Sequence, residues 1–356
     1  METQTSSLLL SSTARKKCKK QDNEDKKGGE VKKRNRMRPL GPFQENNWTT
    51  VIEFFLLGFR CSQSIRIFLF CLLLAIYCGT ICGNLLIIIL VSTSRSLHTP
   101  MYFFISQLSI SDIVLSTDIA PNFLHVVLNE GGKISFIGCL TQFSFFCTSI
   151  AYECLLLAVM SYDRYLAICN PLRYVSIMTG ACCVKLTIIC WVISLSIILI
   201  DVLKISRIDF CGPNIMNHFF CDLLPLLELS CSDTSAVELQ IMLFSIPSAI
   251  IPMMIIIPSY SKIVFTILKI SSNISRQKAF STCSSHLIVV SIFYWTMFCV
   301  YVFPTKGQTL TISKILSLLY TVVSPLINPI IYSLRNKDIQ KAVQETLTIH
   351  KAHHYP

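Results

Sequence analysis

Asp112 and Glu153 are carboxylic acids set in otherwise apolar runs. A carboxyl group so placed either stays neutral or binds a cation. Asn84 and Asn328 are the polar residues that can complete a cluster with the two acids. A second constellation, Asp163-Arg164-Tyr165, closes another apolar run. Burying a guanidinium there is costly, so Arg164 needs a partner, and Asp163 stands beside it. Freed from that partner, Arg164 becomes available to a second protein. The plainer alternative is an arginine that snorkels from a helix end. A third constellation is Asn328-Pro329 followed by Tyr332. Pro329 removes a backbone hydrogen bond and kinks its helix, and Asn328 can satisfy the groups set free. Tyr332 and Tyr260 can then swing inward from facing helices. Asp118 and Asp201 fall near the ends of their runs and are expected to face solvent.

No catalytic set accompanies these groups. The chain has no Gly-rich phosphate loop, no HExxH and no GxSxG. His286 lies near Ser284 and Ser285 but beside no plausible substrate cavity, so a hydrolase is not expected. Of the seventeen cysteines, most lie inside apolar runs and read as small buried residues. Cys139, Cys211, Cys221 and Cys231 sit on the side read below as outer and oxidising. Four cysteines allow three pairings, and the sequence leaves the choice open. One His, His218, and no CxxC in 204–231 argue against zinc.

The elements that must position these residues are long apolar runs. Of the 356 residues, 52% are hydrophobic and 14% charged, against about 25% charged in a soluble protein. Seven stretches approach bilayer length: Ile67–Val91, Met101–Leu124, Gly138–Ile168, Ala181–Leu203, Glu238–Leu268, Ala279–Phe303 and Ile312–Ser333. Runs this long are helices, because barrel strands are about ten residues and alternate. The expected fold is an all-α membrane protein, a seven-transmembrane helix bundle over 67–335. A cytoplasmic tail, 336–356, follows, with a short amphipathic helix built on Ile339, Val343 and Leu347. No cysteine after Cys299 offers a palmitate anchor there. No inverted repeat favours a transporter.

The net charge of +11 alone would invite a nucleic-acid reading. Position dissolves it. Residues 1–36 hold eleven Lys/Arg and five Asp/Glu without a long apolar run, and read as a disordered extension. With 37–66 placed outside, the inner loops and tail carry twelve basic and three acidic residues. The outer side from Met37 carries eight of each. That bias puts the N-terminus outside and the C-terminus inside, with lipids and no nucleic acid as partners. The basic extension argues against its own export, so translation from Met37 is expected to be common. Asn47-Trp48-Thr49 is a glycosylation acceptor in the outer segment. No cleavable signal precedes the first full span.

Four runs, in order on seven spans, resemble the olfactory receptor family of rhodopsin-like (class A) G-protein-coupled receptors. They are Leu97-His98-Thr99-Pro100-Met101-Tyr102-Phe103-Phe104, Met160-Ser161-Tyr162-Asp163-Arg164-Tyr165, Lys278-Ala279-Phe280-Ser281-Thr282-Cys283, and Pro325-Leu326-Ile327-Asn328-Pro329-Ile330-Ile331-Tyr332. The resemblance covers roughly 47–341. The long second outer loop with Cys211-Gly212-Pro213-Asn214 looks like the tetrapod-type (class II) subgroup. Ser161 and Trp295 depart from the family's usual Ala and Gly, and the indole is expected to tighten packing or reshape the cavity.

The resemblance implies disulfides Cys139–Cys221 and Cys211–Cys231, holding a lid over the ligand cavity. It assigns Asp163, Arg164 and Tyr165 to G-protein coupling, and Tyr260, Asn328, Pro329 and Tyr332 to the activation switch. It places Asp112 and Glu153 where relatives bind sodium; a sodium site and a protonated, water-filled cluster are the two readings. No other cofactor is expected. The implied ligand lining is Phe146, Cys147, Ile150, Ala151, Phe244, Met297, Tyr301, Leu318 and Thr321. That mostly apolar set suits a small neutral volatile in the outer half of the bundle. The function implied is an odorant receptor that activates a stimulatory olfactory-type heterotrimeric G protein and raises cyclic AMP. The alternatives are a related receptor for a non-odorant metabolite and, from another class, a transporter or channel.

Overall fold

The computed structural model describes residues 52–354 except 60, 211–213 and 303–309. The extension 1–36, Asn47 and Cys211 therefore lie outside the described residues. Helices dominate: α1 is Gln63–Thr93, α2 Pro100–Leu128, α3 Phe136–Cys169 and α4 Gly180–Ile205. The fifth helix, α5, runs through Ser235–Gln240, a π-helical turn Ile241–Ser245, and Ile246–Leu268. Asn273–Val302 is α6. The seventh, α7, is Leu310–Leu318, a second π-helical turn Leu319–Val323, and Ser324–Arg335. Lys337–His354 is α8.

Among the described residues, six helices are long and apolar enough to cross a membrane. They are α1 to α5 and the Lys314–Leu334 part of α7. In α6 the apolar stretch is shorter, Cys283–Cys299, because Arg276, Lys278 and Ser/Thr residues fill its first turns. Helix starts follow ordinary capping chemistry. Ser135 Oγ accepts from Gly138 N at 3.0 Å, Thr179 Oγ1 from Cys182 N at 3.3 Å, and Pro100 opens α2. The most buried helix is α3, and α1 and α4 are the most peripheral. So α3 is the post around which the bundle packs.

One feature is not helical. Glu53–Leu56 (β1), Gly132–Ser135 (β2) and Ile215–Met216 (β3) form a three-stranded sheet in the order β2-β1-β3. Phe54 lies opposite Ile134, antiparallel, and Phe55 opposite Ile215, parallel. The segment before α1 is thus the middle strand of a cap. Gly58 ends it with φ +59°, and a Cβ there would meet Val126 Cγ1 at 2.6 Å.

Candidate functional site

At the cap end, a disulfide joins Cys139 at the start of α3 to Cys221 in the loop after β3, with Cα atoms 5.4 Å apart. Gln142, one turn on, accepts from Cys221 N at 3.0 Å and donates to Asp118 O at 3.1 Å. The loop is thereby pinned to α3 and α2. Its Phe220 meets Phe146 edge-on at 5.0 Å, and Phe219 lies 4.3 Å from Phe123. Phe146 in turn packs on Tyr320 of α7 at 5.7 Å. The loop is therefore a lid seated on an aromatic floor. Cys231 is disulfide-bonded, and Phe210 and Ser230 pair as an antiparallel bridge beside it.

Lys314 of α7 and His218 of the lid are residues to which no sequence pattern gave a role. Lys314 donates to Gly58 O and to Asn217 Oδ1, both at 2.7 Å, and lies over the Phe59 ring. One ammonium thus ties α7, the lid and the segment before α1. His218 stacks on Phe219 at 4.7 Å. Among the described residues neither ring nitrogen makes a full hydrogen bond. Burial, and then the Lys314 charge, push its pKa down to about 3. Asp222, which caps Leu223–Glu228, is pushed up to about 6 by burial.

Beneath the lid, Phe146, Ile150, Ala151 and Thr321 are buried, and Cys147, Met297 and Leu318 partly so. These come from α3, α6 and α7. Phe244 does not join them and is 50% exposed. It sits in the π-helical turn of α5, where the wider turn shifts the residues that face the bundle. The Tyr301 side chain lies outside the described residues. Trp295 does not reshape the cavity: it is 67% exposed and stacks outward on Phe298. Asp201 is not solvated either; it is 4% exposed and accepts from Gln240. Asp118 is half-buried, with Oδ2 unpartnered among the described residues.

In mid-bundle, Asn328 donates to both Asp112 oxygens, at 3.2 and 3.1 Å. Ser111 donates to Glu153 Oε1 at 3.3 Å. Asn84 has a different task from the expected one. Pro329 has no N–H to give the Pro325 carbonyl one turn back. Asn84 Nδ2 bonds that carbonyl instead, at 3.1 Å, and also Thr80 O at 3.0 Å. The cluster therefore holds Asn328 with the acids, while Asn84 repairs the kink. Among the described residues no group of three or more His, Cys, Asp or Glu is placed to hold a metal ion.

At the far end of α3, Arg164 Nε donates to Asp163 Oδ2 at 2.8 Å, and its Nη2 also bonds that oxygen. Tyr174 donates to the other carboxylate oxygen at 3.0 Å. It comes from the short helix Pro171–Ile177, which no motif flagged. Tyr165 accepts from Asn170 at 3.3 Å. Tyr260 on α5 bonds and stacks with His286 on α6. The hydroxyl of buried Tyr332 has no partner among the described residues. Beside this locked arginine, Leu172 is 96% and Val175 79% exposed.

Comparison with known proteins decides what this arrangement belongs to. Residues 70–350 match the family model described as "Olfactory receptor". The chain belongs to the olfactory receptor family. It is 45% identical over 304 residues to Olfactory receptor 11L1 of Homo sapiens, covering 85% of this chain and 94% of that one. It is likewise 45% identical to Olfactory receptor 5AP2 of Mus musculus, covering 85% and 96%. Squid rhodopsin shares the fold, with TM-score 0.65 at 18% identity over 82% of this chain and 87% of that one. The chain is thus a multi-pass receptor of the seven-helix, rhodopsin-like class, and not an enzyme. In general terms its partners are a small-molecule ligand and a G protein.

Proposed function

We propose that this olfactory receptor binds a small, neutral, mostly apolar volatile between α3, α6 and α7, under the lid. Binding would release Arg164 for a stimulatory olfactory-type G protein and raise cyclic AMP. The observation that carries the reading is the pairing of two sites on one helix. Near its start, α3 carries Phe146, Ile150 and Ala151 beneath Phe220. Its other end carries Arg164, held by Asp163, next to the exposed apolar Leu172 and Val175. A ligand that favours a state with Asp163–Arg164 opened shifts the population toward it.

The charge bias supports a plasma-membrane orientation with the lid outside, where an oxidising medium suits Cys139–Cys221 and a second pair, Cys211–Cys231. Asn47 is then the glycan acceptor, and residues 1–36 are a dispensable extension before the outer segment 37–66. Asp112 and Glu153 hold either a sodium ion or a shared proton within the Asn328 network. The test is a cyclic AMP reporter screen of the full chain against a broad volatile library, repeated with Phe146→Ala. An active volatile whose potency falls in the variant is expected. A response indifferent to Phe146 would overturn the placement of the ligand.

A further inference from the structure

Helix α8 leaves α7 through one residue. Asn336 is extended, with φ −97° and ψ 108°, between the helical Ser324–Arg335 and Lys337–His354. Two soft dihedrals at one residue make a hinge, so the direction of α8 is set by what its first turns bind. Ile339 and Ala342, each 1% exposed, join the core of the bundle, and Val343 packs beside them. That apolar contact turns one face of α8 inward. It does not fix the angle, because burial has no direction. Hydrogen bonds do have one.

The polar contacts converge on Tyr102, in the first turn of α2. The residue is buried. Its hydroxyl lies 2.9 Å from Asn336 Oδ1 and 2.9 Å from Asp338 Oδ2. The same Asn336 Oδ1 accepts from Asp338 N at 3.0 Å and from Ile339 N at 3.4 Å, and so caps the start of α8. A phenol has one hydrogen to give. Here it stands between the cap of α8 and a carboxylate of its first turn, the stronger acceptor. One side chain of α2 thus grips both the hinge and the helix beyond it, across 234 and 236 residues of chain. Tyr102 also feels the charge of Arg164. The grip on α8 therefore stands beside the arginine lock at the end of α3.

We propose that Tyr102 is a positioning residue for G-protein coupling. Its hydroxyl holds Asn336 and Asp338 so that the first turns of α8 and the released Arg164 form one docking surface. The inference rests on the coupling reading above and adds a second requirement to it, a fixed α8.

The test uses the full chain in phospholipid nanodiscs, without ligand. The probe is a purified stimulatory olfactory-type heterotrimer stripped of nucleotide. Saturation curves give its affinity and the number of binding-competent receptors separately. Tyr102→Phe keeps the ring and removes the hydroxyl. It should weaken the affinity about tenfold, the worth of one hydrogen bond to a charged group, with the number of competent receptors unchanged. A role in stability alone would do the reverse, leaving fewer receptors at unchanged affinity. Hydrogen exchange at the amides of 338–340 should quicken by a similar factor, with that of α7 unchanged. Asp338→Ala, at an exposed position, should weaken the affinity likewise, and the double variant should be no weaker than either single one. If Tyr102→Phe fails to fold, Asp338→Ala decides the matter alone. Unchanged affinity in the variants that fold, additive losses in the double variant, or fewer receptors at unchanged affinity would overturn the proposal. A wild type that does not bind the heterotrimer would overturn the coupling reading, and this inference with it.

Discussion

Replacing His218 by Phe should change how lid opening responds to acid. In the closed lid the ring is buried, stacked on Phe219, and pushed from 6.5 down to about 3. Once the lid opens, the ring regains water and its ordinary pKa. The open state therefore binds the extra proton between pH 6.5 and 3, and His218 costs the closed lid stability as pH falls through that window. At about 1.4 kcal/mol per unit, the loss between pH 7.5 and 5 is about 2 kcal/mol, near thirtyfold in open population. Asp222 acts the other way. Its closed-state value is raised to about 6 from 3.8, so the closed lid takes the proton first and gains stability as pH falls. That gain is about 1.4 kcal/mol by pH 5. Wild type should therefore weaken by only about 0.6 kcal/mol over that range, whereas His218→Phe should grow more stable by about 1.4. Hydrogen exchange at the amides of 215–221, corrected for intrinsic rates, measures the opening free energy. If the two proteins showed parallel pH profiles, that would falsify a buried, neutral His218.

Other perturbations follow from the same contacts. Arg164→Ala should abolish the cyclic AMP response while leaving surface protein, read by reporter and surface staining together. Cys139→Ser or Cys221→Ser opens a crosslink across 82 residues, worth about 4–5 kcal/mol by loop entropy; each should block surface delivery, and trafficking equal to wild type would contradict the lid's role. Lys314→Met removes two charge-assisted bonds at 2.7 Å. It should cost about 2–3 kcal/mol, seen as a lower unfolding midpoint and faster exchange at Gly58. Asn84→Leu leaves the Pro325 carbonyl unpaired in the bundle and should cost about 1–3 kcal/mol, whereas Asn84→Gln should recover part of it.

The bundle was legible because apolar length and helix geometry are tied. A run such as Ile67–Val91 can satisfy its backbone in hydrocarbon only as a helix, and α1 extends it to Gln63–Thr93. Helix ends were less legible, since a helix needs no apolar residue to continue. Thus α6 begins at Asn273, six residues before the apolar run. The sheet left no pattern at all. Its strands are two to four residues long, and the partners of Phe55, Lys133 and Ile215, lie far off in the chain. Lys314 and Asn84 were hidden for the same reason, their acceptors lying 256 and 241 residues away. Phe244 was misplaced because a π-helical turn carries more residues than the regular helix assumed in counting along α5. Asp163–Arg164 was readable because its partners are adjacent, although Tyr174, which completes the clamp, was not.

The central claim is that a volatile bound under the lid frees Arg164 for a G protein. Its most direct test reconstitutes the full chain in nanodiscs with a purified stimulatory olfactory-type G protein. Guanine nucleotide exchange is then measured with and without a volatile that the receptor binds. Accelerated exchange is expected with wild type and none above background with Arg164→Ala, at equal ligand binding. Bound volatile with no acceleration, or equal acceleration by the variant, would contradict it.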